Sequence, residues 1–167
     1  MFPPEEGNHL IISEWPNREC NLMAFNLKED PSNEENIQIE ADTNVLQNMC
    51  GKTLELPNLR FKKVTRVGRK PLRSSSKCRP VKIIFKNVEE KYACLSNAYK
   101  LKDAEPELRG LSITHDLTQN QRDELSKLLT EAKNKNELES AKNSQIKWKV
   151  RGAPTNLHLV SVRPRME

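Results

Sequence analysis

The middle of the chain, residues 59–86, reads LRFKKVTRVGRKPLRSSSKCRPVKIIFK. Near both ends of this stretch, apolar residues flank or alternate with cations, which is typical of half-exposed β-strands. We therefore predict strands at 59–67 and 79–86. Residues 69–78 lie between them and contain Pro71 and three serines, so we expect a polar loop that is disordered when no ligand is bound.

From Arg60 to Lys82 the same stretch is strongly basic, with ten cations and no carboxylate. Residues 1–59 hold only three cations against eleven acids, and residues 145–167 form a second basic patch with five cations and one acid. Such a pattern predicts a phosphate-binding surface, although an ordinary solvated surface can show it too. The ten central cations are Arg60, Lys62, Lys63, Arg66, Arg69, Lys70, Arg73, Lys77, Arg79 and Lys82.

Length and composition indicate one hydrophilic domain: 167 residues, of which 31% are charged and 5% aromatic. No apolar run approaches the roughly 20 residues that cross a bilayer, and the first seven residues carry acids where a secretory signal has cations. We expect an intracellular protein, cytoplasmic or nuclear, without membrane contact. The four cysteines are too widely separated for a metal site, so we predict free thiols and no metal or cofactor.

Local patterns predict the remaining elements. Residues 21–27 are a buried strand, and Ser32 with Glu35 is a capping box that begins a helix. A second helix is capped by Asn87, a strand covers 111–117, and Thr118 begins a third helix that is followed over 134–143 by a frayed end or a linker. Residues 145–163 form a hairpin that turns at 152–156. The side chains predicted to point inward are Ile37, Ala41, Val45 and Met49 on the first helix, Val88, Tyr92, Leu95 and Tyr99 on the second, and Leu125, Leu128, Leu129 and Ala132 on the third.

This order predicts an α+β fold with a ferredoxin-like, RRM-like βαββαβ core followed by a helix and a β-hairpin. The core spans 19–117, the appended helix and hairpin 118–163, and the tail 164–167. Residues 1–18 are uncertain, since 10–12 fit either an edge strand or the end of a preceding helix.

Four stretches resemble the RRM-like core of first-open-reading-frame proteins from non-LTR (LINE-type) retrotransposons and their metazoan relatives. They are NLMAFNLKE (21–29), VTRVGRK (64–70), RPVKIIF (79–85) and SITHDLT (112–118). The RxG(R/K) turn and the strand that begins with Arg-Pro are the most specific parts. The similarity covers residues 19–163.

The resemblance implies non-sequence-specific binding of single-stranded RNA or DNA and nucleic-acid chaperone activity. By position, Arg66, Arg69, Lys70 and Arg79 would contact phosphates, and the hairpin cations Lys147, Lys149 and Arg151 would extend the same groove. Family members oligomerise through a coiled coil upstream of this core. No heptad pattern precedes Asn21, so we expect a lone core domain or a fragment, with any oligomer formed through a missing segment.

Two features depart from the family and from ordinary RNA recognition motifs. The helix after Thr118 offers Arg122 and then Glu124 and Leu125, where relatives carry several arginines. Met23, Pro80 and Lys82 stand where base-stacking rings are usual, and we predict Phe25, Phe85 and Trp148 to be core residues.

Other functional classes fit less well. No phosphate loop or nucleophile with a general-base partner is present, so we predict neither an enzyme nor a small-molecule substrate. Two alternatives stay open: a protein-interaction module whose RRM-like sheet is covered by a partner, and a decayed retrotransposon remnant that binds little.

Overall fold

The computed structural model describes residues 18–71 and 76–165. It confirms a mixed α+β protein, and the chain divides into two compact units, Met1–Asp116 and Leu117–Glu167. The predictions for residues 10–12 and for Arg73 lie outside the described residues.

The first unit contains a four-stranded antiparallel sheet and two helices. Its elements are β1 (Asn21–Phe25), α1 (Glu35–Asn48), a π-helical turn (Met49–Thr53), β2 (Phe61–Arg66), β3 (Val81–Phe85), α2 (Val88–Asn97), 3₁₀ turns at Ala98–Asp103 and Pro106–Leu108, and β4 (Ser112–His115). The strands lie in the order β2-β3-β1-β4. All three strand pairs are antiparallel.

Alternation along the strands separates a buried face from an open face of this sheet. Leu22 pairs with Ile83 and Ala24 with Val81 in the core, where all four side chains are fully buried. The hydrophobic cluster around them includes Leu46 from α1, Met49 from the π-helical turn and Cys94 from α2. The open face therefore carries the intervening residues Met23, Phe25, Lys63, Thr65, Lys82, Ile84 and Thr114.

The inward positions predicted for the first helix are wrong at Ile37 and Val45, whereas Met49, just after α1, is buried as predicted. Ile37 and Val45 are 44% and 40% exposed, whereas Gln38, Asp42 and Leu46 are buried. The physical reason is that Asp42 accepts hydrogen bonds from Arg66 and Gln38 accepts one from Arg79. These two polar side chains therefore face inward, where the apolar periodicity predicted Ile37 and Val45. The predicted capping box is also absent, because the Ser32 hydroxyl accepts from the backbone N–H of Glu34 and the helix begins at Glu35.

The α2 helix shows a similar rotation. The Asn87 side chain caps it as predicted, accepting from the Glu90 backbone N–H. Tyr92 and Tyr99 are 38% and 64% exposed, however, while Lys91 and Cys94 are fully buried. Lys91 can lie inside because its ammonium donates to the carbonyl oxygen of Glu19 at 2.8 Å.

The second unit consists of one long helix and one hairpin. The helix α3 (Gln119–Ala141) begins at Thr118, whose side chain forms a capping box with Gln121. It continues to Ala141, so most of the segment 134–143 is helical rather than a frayed end or linker. The hairpin pairs β5 (Lys147–Arg151) with β6 (His158–Val162), as predicted. Of the predicted helix stripe, Ala132 is buried, and Leu129 is 53% exposed.

Candidate nucleic-acid interface

Arg66, the first predicted phosphate contact, lies inside the protein with all of its donors occupied. Its Nε and Nη2 donate to the two carboxylate oxygens of Asp42 at 2.8 and 2.6 Å. The other three N–H groups donate to the carbonyl oxygens of Leu27, Lys28 and Arg79. A guanidinium has five N–H donors, so Arg66 has none left for a phosphate in this arrangement.

Arg79, the second predicted contact, is held in a similar way by Glu29. Its Nη2 lies 3.0 Å from the Glu29 Oε2 atom and 3.4 Å from the Gln38 Oε1 atom. Its backbone N–H donates to Glu29 Oε1 at 2.8 Å. Burial alone would raise the pKa of Glu29, but the hydrogen bonds and positive charge of Arg79 outweigh this and lower that pKa.

We call these five residues, Arg66, Arg79, Asp42, Glu29 and Gln38, the arginine clasp. The clasp ties the end of β2 and the start of β3 to the β1–α1 loop and to α1. Because both arginines are side-chain partners of buried or half-buried acids, they stabilise the fold and are poorly placed to meet a ligand. Packing within the fold is thus enough to explain the arginine of the RxG(R/K) turn, Arg66, and the arginine of the Arg-Pro strand, Arg79.

The other cations of the central stretch are more accessible. Arg60, Lys62, Lys63, Arg69, Lys70 and Lys77 are exposed, and Lys82 is half-buried. Arg60 donates to the carbonyl oxygens of Pro57 and Leu59, and Lys70 to Ser32 and Asn33. Within the described ranges, Lys62, Lys63 and Arg69 make no side-chain hydrogen bond or ion pair. These three are the cations of the first unit best placed to meet a polyanion.

A buried carboxylate, Asp116, lies at the edge of the open sheet face. It accepts from Arg18 at 3.0 Å and from Asn21 at 2.9 Å, and the Lys82 ammonium is 3.9 Å away. The positive charge of Lys82 is therefore partly neutralised. Next to Asp116, burial and the nearby Lys91 lower the pKa of His115 to about 4.

The open sheet face carries one exposed aromatic residue that sequence reasoning placed in the core. Phe25 is 37% exposed and pairs with Ser112 at the sheet edge, whereas Phe85 is fully buried as predicted. Strand alternation was the available signal, since Phe25 is three residues from the inward-facing Leu22.

The hairpin of the second unit brings three predicted site residues onto one face. Lys147, Lys149 and Arg151 alternate with the half-buried Trp148 and Val150, and all three cations are exposed. Across the strand pair, Lys147 faces Val162 and Lys149 faces Val160. Among the residues that the structure describes, no carboxylate lies within ion-pair distance of these three cations. They form the cationic face of the hairpin.

Two contacts hold this face in place, and both were missed from sequence. The side-chain amide of Asn136 donates to the Trp148 carbonyl at 3.0 Å and accepts from its N–H at 2.6 Å. It thereby mimics a neighbouring strand at the free edge of β5. The Lys135 ammonium lies 4.3 Å from the centre of the Trp148 ring, a cation–π contact.

Comparison with known proteins does not assign this chain to a family. No protein-family model matches the chain, and no curated protein is significantly similar to it. In the described part of the chain, no cluster of three or more His, Cys, Asp or Glu side chains could hold a metal ion. No helix there combines the length and apolar character that crossing a membrane requires.

Proposed function

We propose that this protein binds single-stranded RNA or DNA through the phosphate backbone and without sequence specificity. The observation that carries the proposal is the cationic face of the hairpin: three exposed, unpaired cations in one row on a β-strand. Nothing neutralises them internally in the described structure, in contrast with Arg66 and Arg79.

The spacing of these cations suits an extended strand. Successive residues of a β-strand are about 3.3 Å apart, so alternate side chains lie about 6.6 Å apart. Consecutive phosphates of an extended single strand have a comparable spacing. Val160 and Val162 lie opposite the lysines and supply an apolar bed beside the row, where bases or sugars can rest.

An RRM-like classification of the first unit belongs to the same proposal. Its support is the chain order of strands and helices, together with the sheet order β2-β3-β1-β4. The sequence resemblance to LINE-type first-open-reading-frame proteins supports a retrotransposon origin and nucleic-acid chaperone activity. Lys62, Lys63 and Arg69 would supply additional phosphate contacts, while Arg66 and Arg79 act as structural residues.

The test is fluorescence anisotropy with labelled single-stranded RNA at several salt concentrations. The triple variant Lys147→Gln, Lys149→Gln, Arg151→Gln should bind all sequences more weakly, and its slope of log affinity against log salt should fall in magnitude by about 2, or 0.7 per lost contact. Duplex DNA as competitor reports whether single strands are preferred.

The matched control removes three exposed lysines from elsewhere in the same unit, as Lys127→Gln, Lys133→Gln and Lys142→Gln. It has the same net charge as the hairpin variant and should bind nearly as well as the unmodified protein. An equal loss in both variants would mean that net charge alone drives binding. If the unmodified protein fails to bind RNA at low salt, the proposed function is wrong.

A further inference from the structure

The β6 strand places one polar side chain beside the cations of the hairpin. His158 lies directly opposite Arg151 in the strand pair, so the two side chains leave the sheet on the same side, with Cβ atoms about 5 Å apart. The other β6 residues on that side are the apolar Val160 and Val162. His158 is exposed, and within β6 it is the one side chain on the cationic face of the hairpin that can carry a charge.

The turn of the hairpin fixes the orientation of the His158 imidazole. Its Nδ1 atom lies 3.0 Å from the backbone carbonyl oxygen of Asn156. A carbonyl oxygen can only accept, so Nδ1 carries the hydrogen, and Nε2 is the nitrogen without one while the ring is neutral. A Cβ on Gly152 would come within 2.9 Å of Nδ1, so the ring lies against that glycine.

Protonation of this ring needs no rearrangement of the hairpin. In an imidazolium both nitrogens are donors, so Nδ1 keeps its bond to the Asn156 carbonyl oxygen. The added hydrogen is on Nε2, which makes no hydrogen bond within the described residues. The cationic face of the hairpin therefore gains one oriented N–H donor and one positive charge when the His158 ring is protonated.

The charged groups around this imidazole are cations. Arg151 lies opposite it, and Lys149 lies two residues further along β5 on the same face. Neither the rest of β6 nor the turn at 152–157 contains a titratable residue. The α3 helix packs on the other face of the hairpin, where it contacts Trp148. In the described part of the chain, no carboxylate lies within hydrogen-bond or ion-pair distance of His158.

We propose that His158 is a pH-dependent phosphate contact of the cationic face of the hairpin. Histidine is the side chain whose charge ordinarily changes between about pH 5 and 8. An imidazolium directly opposite the Arg151 guanidinium is repelled by it, and a phosphate beside both cations replaces this repulsion by two attractions. The nucleic-acid strand and the proton on His158 therefore favour each other's binding, and this coupling is reciprocal.

The acid-dependent contact rests on the proposed function, because a bound strand supplies the phosphate. It gives that site a regulation: affinity for every sequence should rise as the pH falls. Each phosphate contact with a single strand steepens the slope of log affinity against log salt by about 0.7. An exposed ion pair strengthens binding by up to about fivefold.

Fluorescence anisotropy of labelled oligouridine, titrated with the full chain between about pH 8 and about pH 5.5, tests the proposal. Uracil has no amino group that acid could protonate. At constant low salt the unmodified protein should bind about two- to fivefold more tightly at the acidic end, with a salt slope steeper by about 0.7. The His158→Gln variant stays neutral and should show neither change. The His158→Lys variant stays charged and should have the steeper slope throughout.

The matched control is His9→Gln with His115→Gln, which removes the other two histidines of the chain. It should bind more tightly in acid, as the unmodified protein does. Calorimetric titration in two buffers of different ionisation enthalpy gives a second measurement. Binding of the strand should take up protons, and His158→Gln should take up fewer. Circular dichroism at the acidic end of the range establishes that each variant is folded.

The outcomes separate the role of His158 from the proposed function. Binding at the alkaline end that does not tighten in acid would overturn the role of His158 and leave the proposed function intact. Equal tightening in the His158→Gln variant would also overturn it, because another group would then be taking up the proton. Absence of binding over the whole pH range at low salt would contradict the proposed function and the acid-dependent contact together.

Discussion

The guanidinium of Arg66 and the carboxylate of Asp42 form a two-bond ion pair with side chains only 5% and 4% exposed. The pair joins the last residue of β2 to the middle of α1, and three carbonyl oxygens take up the remaining donors. A buried ion pair costs desolvation and is kept only with such complete hydrogen bonding. We therefore expect a substitution of either Arg66 or Asp42 to lower the stability of the protein.

Replacing Arg66 by lysine should lower the free energy of unfolding by about 3 kcal/mol. Lysine keeps the charge but has three N–H donors in place of five, so at least two buried acceptors lose their partner, at a cost of about 1–3 kcal/mol each. Urea unfolding followed by circular dichroism measures the loss. Arg69→Lys, at an exposed position three residues away, is the control and should change stability by less than about 0.5 kcal/mol. Equal stability of the two variants would contradict a structural role for Arg66.

Removing the Asn136 amide should destabilise the second unit. Asn136→Ala leaves the N–H and carbonyl of Trp148 without their partner, at a cost of about 1–3 kcal/mol. Trp148 fluorescence during urea unfolding reports the change, in a Trp15→Phe background that leaves one tryptophan. Asn134→Ala, at an exposed position on the same helix, should have little effect. If both substitutions behaved alike, the Asn136 amide would not be what holds β5.

Gly152, at the start of the hairpin turn, should not tolerate a side chain. Its φ is +106°, and a Cβ there would lie 2.1 Å from the Asn156 carbonyl oxygen. Gly68 is the matched control, because it too has positive φ, +95°, but open space around it. Gly68→Ala should cost about 1 kcal/mol in backbone strain, and Gly152→Ala clearly more. Thermal unfolding of the two variants makes the comparison, and equal costs would show that the turn can rearrange.

Stability should fall as the pH drops from about 6.5 towards 4, in part because of His115. Burial and then Lys91 lower its pKa in the folded protein to about 4, against about 6.5 in an unfolded chain. Between these values the unfolded state binds the extra proton, so acid favours unfolding, with a limit of about 3 kcal/mol. Comparing the pH dependence of urea midpoints for the unmodified protein and His115→Gln isolates this effect. Parallel profiles would exclude His115 as its source.

Local signals in the sequence were enough to predict several elements. The alternation around Ile83 predicted β3, Asn87 predicted the start of α2, and the alternation of Trp148 and Val150 with cations predicted β5. Each prediction depends on neighbouring residues alone, through strand period, side-chain capping or turn chemistry. The exposed row of hairpin cations follows from the same alternation and needed no tertiary information.

Only the tertiary structure decided which basic residues are available to a ligand. Arg66 and Arg69 look alike in sequence, but Arg66 meets Asp42, 24 residues earlier in the chain, while Arg69 stays exposed. The same long-range pairing turned α1 so that Asp42 faces inward and Ile37 outward, against the apolar period. A charge is free or neutralised according to what the fold brings beside it, and that partner lies far away in sequence. Sequence thus determined the strands and the total charge, and packing determined which part of that charge reaches the surface.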